Sequence, residues 1–145
     1  MPEKQLIYHV ALPVPLRRLF DYLPPLEETI PLSRGMRVKV PFGRRQVTGL
    51  VMHQSYHSGM KEDQLKRIIA PCDPYPLFPL ELCDFLEKTA RYYHHPIGEV
   101  IFSGTPMALR QGKPCKEISH ETQPVARLSA LTLNAEQETA LKAIL

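Results

Sequence analysis

Apolar and polar residues alternate most regularly over residues 36–42, which read MRVKVPF. A period of two is typical of a β-strand with one face in the core. The pattern therefore predicts a strand whose apolar side chains share one face, while Arg37 and Lys39 point to the other.

The connection that follows this strand contains glycine and is basic. Gly43, Arg44 and Arg45 precede the apolar residues VTGLVM at 47–52, which read as a return strand. The sequence thus predicts a β-hairpin over residues 36–52 with a basic tip.

Shorter apolar runs predict further strands. LIYHVAL at 6–12 ends at a proline-rich turn, FDYL at 20–23 ends at Pro24-Pro25, and residues 65–70 could add a strand beside the hairpin. Fifteen prolines, spread along the chain, disfavour long uninterrupted helices.

After Pro71 the period changes to that of a helix. We predict one amphipathic helix at about 79–94, with Pro79 in its first turn and an apolar face made of Leu80, Cys83, Leu86, Ala90 and Tyr93. A shorter helix is predicted at 97–102, and Thr105-Pro106 reads as the N-cap and first turn of another, ending near Gly112. The predicted fold is a mainly β, small OB-like or barrel-type domain with a helical C-terminal lobe (α+β).

The predicted elements divide the chain into three parts. Residues 1–112 form the domain, β-rich over 1–70 and helical over 79–112; residues 113–130 are polar and aperiodic, as in a linker. Residues 131–145 contain Asn134-Ala-Glu-Gln137, which predicts a capping box at the start of a helix.

Composition excludes several classes of protein. With 145 residues, no apolar run of 18, and three cysteines that form no CxxC pair, the sequence predicts a soluble cytoplasmic protein without a membrane span, a disulfide framework or a zinc site. The net charge of +3 decides little, but residues 34–67 carry eight basic and two acidic side chains. An anionic partner is expected to meet this half of the chain.

The sequence also lacks the motifs of an enzyme. No GxxxxGK[ST] loop, GxSxG or HExxH occurs, so neither ATP hydrolysis nor another catalytic activity is expected of these residues. The adjacent His94 and His95 have no further ligand at metal-binding spacing, which favours a structural or hydrogen-bonding role.

The remaining candidate residues are of the types that form a binding site for a nucleic-acid strand or its end. Phe20 could stack on a base, Arg44 and Arg45 could meet phosphates, and Gly43 permits close approach. Asp21 would repel phosphate, but its carboxylate could accept a hydrogen bond from a free 3′-OH. The alternative for these two residues stays open: Asp21 caps a turn and Phe20 fills the core.

Several separated motifs carry a resemblance to one family. They are His9-Val-Ala-Leu-Pro-Val-Pro-Leu16, Phe20-Asp-Tyr-Leu23, Arg37-Val-Lys-Val-Pro-Phe-Gly43, Gly49-Leu-Val51 and Tyr92-Tyr-His-His-Pro-Ile-Gly-Glu99. Over residues 6–112 the chain resembles the N-terminal region of the primosomal protein N′ (PriA) family of replication-restart DNA helicases. The resemblance implies a domain that recognises the 3′-OH end of the nascent leading strand at a stalled fork. It also implies a pocket formed by Phe20, Asp21, Gly43 and Lys66.

The resemblance has further implications for the full-length family. Its full-length members are ATP-dependent 3′–5′ DNA helicases, which use ATP, magnesium and zinc and work in the cytoplasm at the nucleoid. Residues 131–145 resemble the start of its helicase domain, where Gln137 would face adenine in an intact helicase. The partners implied are forked DNA, single-strand DNA-binding protein and other primosome proteins. Two other functions stay open: a sequence-independent single-strand binder, and a protein-interaction module that uses the apolar residues of 79–112.

Overall fold

The computed structural model describes residues 5–27, 30–115 and 132–144. The chain divides into two compact units, a first unit of residues 1–115 and a second unit of residues 116–145. Each unit is described by itself.

The first unit is built on one curled β-sheet. Its strands are β1 (Ile7–Ala11), β2 (Phe20–Leu23), β3 (Arg37–Phe42), β4 (Arg45–Ser55), β5 (Lys66–Arg67) and β6 (Ala70–Pro71). Their order across the sheet is β5-β2-β1-β4-β3-β6, and all neighbours are antiparallel except β2 and β5. The small, mainly β fold with a helical lobe was therefore predicted correctly.

The segment at 65–70 differs from its prediction as one strand. It supplies two short strands at opposite edges of the sheet, β5 beside β2 and β6 beside β3. Between them, the Ile68 amide donates to the Leu23 carbonyl and the Ile69 amide donates to the Lys39 carbonyl. Ile68 and Ile69 are consecutive but bond to strands on opposite sides of the sheet, so the sheet must curl into a half-barrel. The apolar pattern of one segment cannot predict this curl.

The hairpin of β3 and β4 lies where the alternation predicted it. Phe42 pairs with Arg45, so the turn has only two residues, and Gly43 has a φ of +60°. A glycine with positive φ at the first turn position is the pattern of a type II′ turn. The return strand is longer than predicted and reaches Ser55.

The alternating faces of β3 are both buried. Met36, Val38 and Val40 lie in the core inside the curled sheet, as predicted. Arg37 was counted among the cations that could meet an anionic partner, and this was wrong: its side chain is fully buried and pairs with Asp73. Asp73, in the segment after β6, and the carbonyls of Leu109 and Lys113 surround the Arg37 side chain, so Arg37 cannot reach a partner.

Three helices follow the sheet: α1 (Leu80–Tyr92), α2 (Ile97–Ser103) and α3 (Met107–Arg110). A second core lies between the helices and the outer face of the sheet, and it contains Ala11, Leu50, Met52, Cys83, Ile101 and Phe102. In α1, Cys83 and Ala90 face this core, but the predicted apolar face is wrong at both ends, where Leu80 and Tyr93 are 56% and 71% exposed. The helix is longer than the core that it covers.

The helix boundaries correct three details of the prediction. Pro79 occupies the N-cap position of α1 rather than its first turn, and α1 ends before His94. Pro106 likewise precedes α3, and Thr105 does not cap it. The Thr105 hydroxyl is buried and donates to the Ile101 carbonyl over 2.7 Å. It therefore satisfies a backbone carbonyl in the last turn of α2 instead of capping α3.

The described part of the second unit is α4 (Ala135–Ile144). Its predicted capping box is confirmed: the Gln137 amide donates to Asn134 Oδ1 over 2.8 Å, and the Asn134 amide donates to Gln137 Oε1 over 3.0 Å. Most of the predicted linker at 113–130 lies outside the described residues. Within the described ranges, none of the helices is long and apolar enough to span a membrane.

Candidate nucleic-acid interface

Four of the predicted site residues line one cavity of about 430 Å³, which we call the Asp21 pocket. They are Phe20, Asp21, Gly43 and Lys66. The other residues of its lining are Arg18, Leu19, Tyr22, Pro41, Phe42, Gly59, Met60 and Gln64. The pocket therefore combines an acid, a cation, aromatic rings and an exposed stretch of glycine backbone.

The curl of the sheet brings these residues together. β2 carries Phe20 and Asp21, the turn after β3 carries Gly43, and Lys66 lies beside Tyr22 in the parallel pairing of β2 and β5. The Tyr22 hydroxyl donates to the Pro41 carbonyl over 3.0 Å and so ties β2 to the end of β3. Burial raises the pKa of Tyr22 to about 12, so this hydroxyl stays a donor even in alkaline solution.

The Asp21 carboxylate is held from both sides inside the pocket. His9 lies directly opposite Asp21 in the β1–β2 pairing, and its Nδ1 is 2.7 Å from Asp21 Oδ1. The Ser58 hydroxyl donates to Oδ2 over 2.5 Å, and His9 Nε2 is 2.8 Å from the Ser55 hydroxyl. This network fixes the orientation of the carboxylate.

The fixed carboxylate can still accept another hydrogen bond. Its side chain is 17% exposed, and two carboxylate oxygens offer about four acceptor positions, of which His9 and Ser58 use one each. A hydroxyl in the Asp21 pocket can therefore donate to it, whereas an anion there would be repelled.

Phe20 forms a wall of the pocket. Its ring meets Phe42 edge to face, with centroids 5.3 Å apart, and the Arg18 guanidinium carbon lies 4.7 Å from the Phe20 centroid. Both contacts occupy the ring, so the geometry favours a ring that shapes the pocket over one that is free to stack on a base.

The remaining predicted residues lie elsewhere. Arg44 and Arg45 are exposed at the hairpin tip and do not line the Asp21 pocket. Gln137 belongs to the second unit, where its side-chain oxygen accepts the Asn134 amide. Their proposed contacts with DNA and with adenine stay predictions.

Sequence reasoning missed three residues of the site: His9, Ser58 and Arg18. His9 becomes visible only when the register of β1 and β2 is known, because it is 12 positions from Asp21 in the sequence. Ser58 lies in a polar loop without a pattern. Arg18 could have been noticed as a cation two residues before Phe20, on the approach to β2.

The sequence has no phosphate-binding loop, and no three metal-ligating side chains come together among residues 5–27, 30–115 and 132–144. No step of the function proposed below involves zinc or ATP with magnesium.

Most of this chain is similar in sequence to known proteins. The family model of the PriA 3′ DNA-binding domain (3′BD) matches residues 9–106. The replication restart protein PriA of Haemophilus influenzae is 43% identical over 107 residues, which is 74% of this chain. PriA of Buchnera aphidicola is 32% identical over 104 residues in the strain from Acyrthosiphon pisum and 28% identical over 106 residues in the strain from Schizaphis graminum.

The matched region covers most of this chain but only 14% of the length of each of these relatives. The match to the family model begins within β1, extends past the end of α2 and includes all four residues that were predicted for the pocket. The chain therefore belongs to the family of PriA 3′ DNA-binding domains.

Proposed function

We propose that the first unit binds the 3′-terminal nucleotide of a DNA strand in the Asp21 pocket. The observation that carries this proposal is the convergence of Phe20, Asp21, Gly43 and Lys66 on one cavity. In it, Asp21 accepts a hydrogen bond from the 3′-OH, Lys66 pairs with a phosphate, and Phe20 shapes the wall against which the nucleotide lies. Gly43 leaves its side of the pocket open to the strand, since no other group lies within 4 Å of where a β-carbon would stand.

The chemistry of the Asp21 pocket would distinguish a free 3′ end from an internal nucleotide of a strand. At a free end, the hydroxyl donates to Asp21. Within a strand, the same oxygen belongs to a phosphodiester, which has no proton to donate and brings a negative charge toward the carboxylate. Arg44 and Arg45 would contact the backbone outside the pocket, where exposed cations provide affinity without sequence preference.

We expect Asp21→Asn to weaken binding of a 3′-OH oligonucleotide about tenfold or more, because a hydrogen bond to a charged group contributes about 1.5 to 3 kcal/mol. The same variant should bind a 3′-phosphate oligonucleotide better than the wild type does, since the repulsion is gone. Fluorescence anisotropy with 5′-labelled strands measures both affinities. Glu81→Gln is the control, because it removes one negative charge from an exposed position in the first turn of α1.

A titration with 3′-OH, 3′-phosphate and circular oligonucleotides separates the alternatives. An end-binding domain prefers the 3′-OH strand. A sequence-independent single-strand binder would bind all three equally, and a protein-interaction module would bind none of them. Equal affinity of the wild type for free and blocked ends would rule out the role of Asp21.

The cellular role follows from the family and forms part of the same proposal. Binding of the nascent 3′ end at a stalled fork would direct a replication-restart helicase to that fork, in the cytoplasm at the nucleoid. ATP, magnesium and zinc would act in the motor of a full-length protein. Single-strand DNA-binding protein and other primosome proteins would dock on exposed apolar residues of the helical lobe, which include Phe85 and Met107 at 63% and 66% exposure.

A further inference from the structure

A second cavity, of about 510 Å³, shares part of its wall with the Asp21 pocket. We call it the Arg17 cavity. Its lining is Arg17, Arg18, Leu19, Met52, Glu87, Ala90, Arg91, His94, His95 and Ile97. Arg18 and Leu19 line both cavities. A strand that leaves the Asp21 pocket past these two residues therefore enters the Arg17 cavity.

The charges in the Arg17 cavity are mostly positive. Its acid, Glu87, is engaged by Arg34 at 3.0 Å and by His53 at 3.1 Å, while Arg91 lies 3.9 Å away. The contact that the structure gives Arg17 is a hydrogen bond to the His94 carbonyl over 3.3 Å, which leaves its charge uncompensated by an acid among the described residues. The cavity thus presents guanidinium groups suited to an anion.

The backbone at His94 points to a use for its side chain. The His95 amide donates to the Ala90 carbonyl and the His94 amide to the Arg91 carbonyl, so α1 ends in a Schellman motif. His94 occupies the left-handed position of this motif, with a φ of +51°, where glycine is the usual residue. Histidine costs stability here relative to glycine, and His94 lines the Arg17 cavity.

We propose that the Arg17 cavity binds the sugar-phosphate backbone of the DNA strand on the 5′ side of its last two nucleotides. This proposal rests on the proposed function, which supplies the direction of the strand. Arg17 and Arg91 donate to phosphate oxygens, and the His94 ring contacts the same backbone. Tyr92 and Tyr93, which precede His94, meet edge to face with centroids 4.9 Å apart. Unlike Phe20 they are mostly exposed, at 78% and 71%, so each still offers ring surface on which a base can stack.

The test compares the affinities of 5′-labelled dT2 and dT8, both with a 3′-OH, by fluorescence anisotropy. We expect Arg17→Ala and Arg91→Ala each to weaken dT8 binding about fivefold, and to leave dT2 binding unchanged because dT2 does not extend through the second cavity. The slope of log affinity against log salt should become shallower by about 0.7 for each variant with dT8. Arg110→Ala is the control, since this exposed cation lines neither cavity.

A second variant separates binding from folding. We expect His94→Gly to raise the melting temperature, because glycine suits the left-handed position, and at the same time to weaken dT8 binding. A residue with a purely structural role would change the melting temperature without changing the affinity for dT8. A gain of stability together with a loss of affinity cannot come from damage to the fold.

The two proposals fail in different ways. Unchanged dT8 affinity and salt dependence in Arg17→Ala, Arg91→Ala and His94→Gly would overturn the role of the Arg17 cavity, even if dT2 still prefers a free 3′-OH. Equal binding of dT2 with 3′-OH and with 3′-phosphate would instead overturn the end-binding role of the Asp21 pocket. A loss of dT8 affinity in the cavity variants would then still identify the cavity as a backbone site.

Discussion

Replacement of Asp73 by asparagine is expected to lower the free energy of unfolding of the first unit by about 3 to 5 kcal/mol. The Asp73 and Arg37 side chains are 1% and 0% exposed and form a bidentate pair with two bonds of 2.7 Å. Arg37 also donates to the carbonyls of Leu109 and Lys113, over 2.5 and 2.9 Å. The variant leaves a buried guanidinium without its counter-charge, and a typical domain has only about 5 to 15 kcal/mol to lose. Urea unfolding followed by circular dichroism measures the change.

Asp84→Asn is a matched control for Asp73→Asn. Asp84 also pairs with an arginine at 2.7 Å, but its side chain is 54% exposed, so its removal should cost less than about 1 kcal/mol. The double variant Arg37→Met/Asp73→Leu should recover part of the lost stability, because it removes both charges and fills the space but leaves the carbonyls of Leu109 and Lys113 without their donor. Equal costs for Asp73→Asn and Asp84→Asn would contradict the importance of burial.

The Arg37–Asp73 pair also illustrates which features the sequence could and could not predict. Alternation along residues 36–42 predicted β3 and its inner face, because a strand period is a local property. The burial of its other face depends on Asp73 and on the carbonyls of Leu109 and Lys113, which are distant in the sequence. A cation on a strand therefore looks like a surface residue until its partners are known.

The same limit applies to the edges of the sheet. The apolar segment at 65–70 looked like one strand, but its hydrogen bonds go to both β2 and β3. Which edge a short strand joins is decided by how far the sheet curls. That curl is a property of the whole sheet, since it accumulates over every strand pair.

The Asp21 pocket could be predicted in part for a chemical reason. A carboxylate beside an aromatic residue and near a basic hairpin is unusual enough to be noticed in the sequence. Its supporting residues were not visible, because His9 and Ser58 reach Asp21 across a strand pair and from a loop. These two residues convert a solvated acid into an oriented acceptor, which is the property that recognition of a hydroxyl requires.

Gly98→Ala is expected to have the other largest effect, a loss of about 3 kcal/mol or more in the free energy of unfolding. A β-carbon at Gly98 would stand 1.5 Å from the Leu12 carbonyl oxygen and 2.4 Å from its carbon. The oxygen cannot move aside, since it accepts the Val14 amide over 2.7 Å in the turn after β1. Helix α2 would have to move away from the sheet, and His95 and Ile97, which line the Arg17 cavity, would move with it. Thermal and urea unfolding measure the loss.

Gly104 provides the matched control, because it ends the same helix. A β-carbon there meets nothing within 4 Å, and its φ of −85° suits any residue. Gly104→Ala should therefore be neutral or stabilise the first unit by about 0.4 to 1 kcal/mol. If Gly98→Ala were as stable as Gly104→Ala, the close approach of α2 to Leu12 would not be a constraint on the fold. If instead Gly98→Ala is destabilised but folded at low temperature, its affinity for dT8 should fall more than its affinity for dT2, because α2 supports the Arg17 cavity and not the Asp21 pocket.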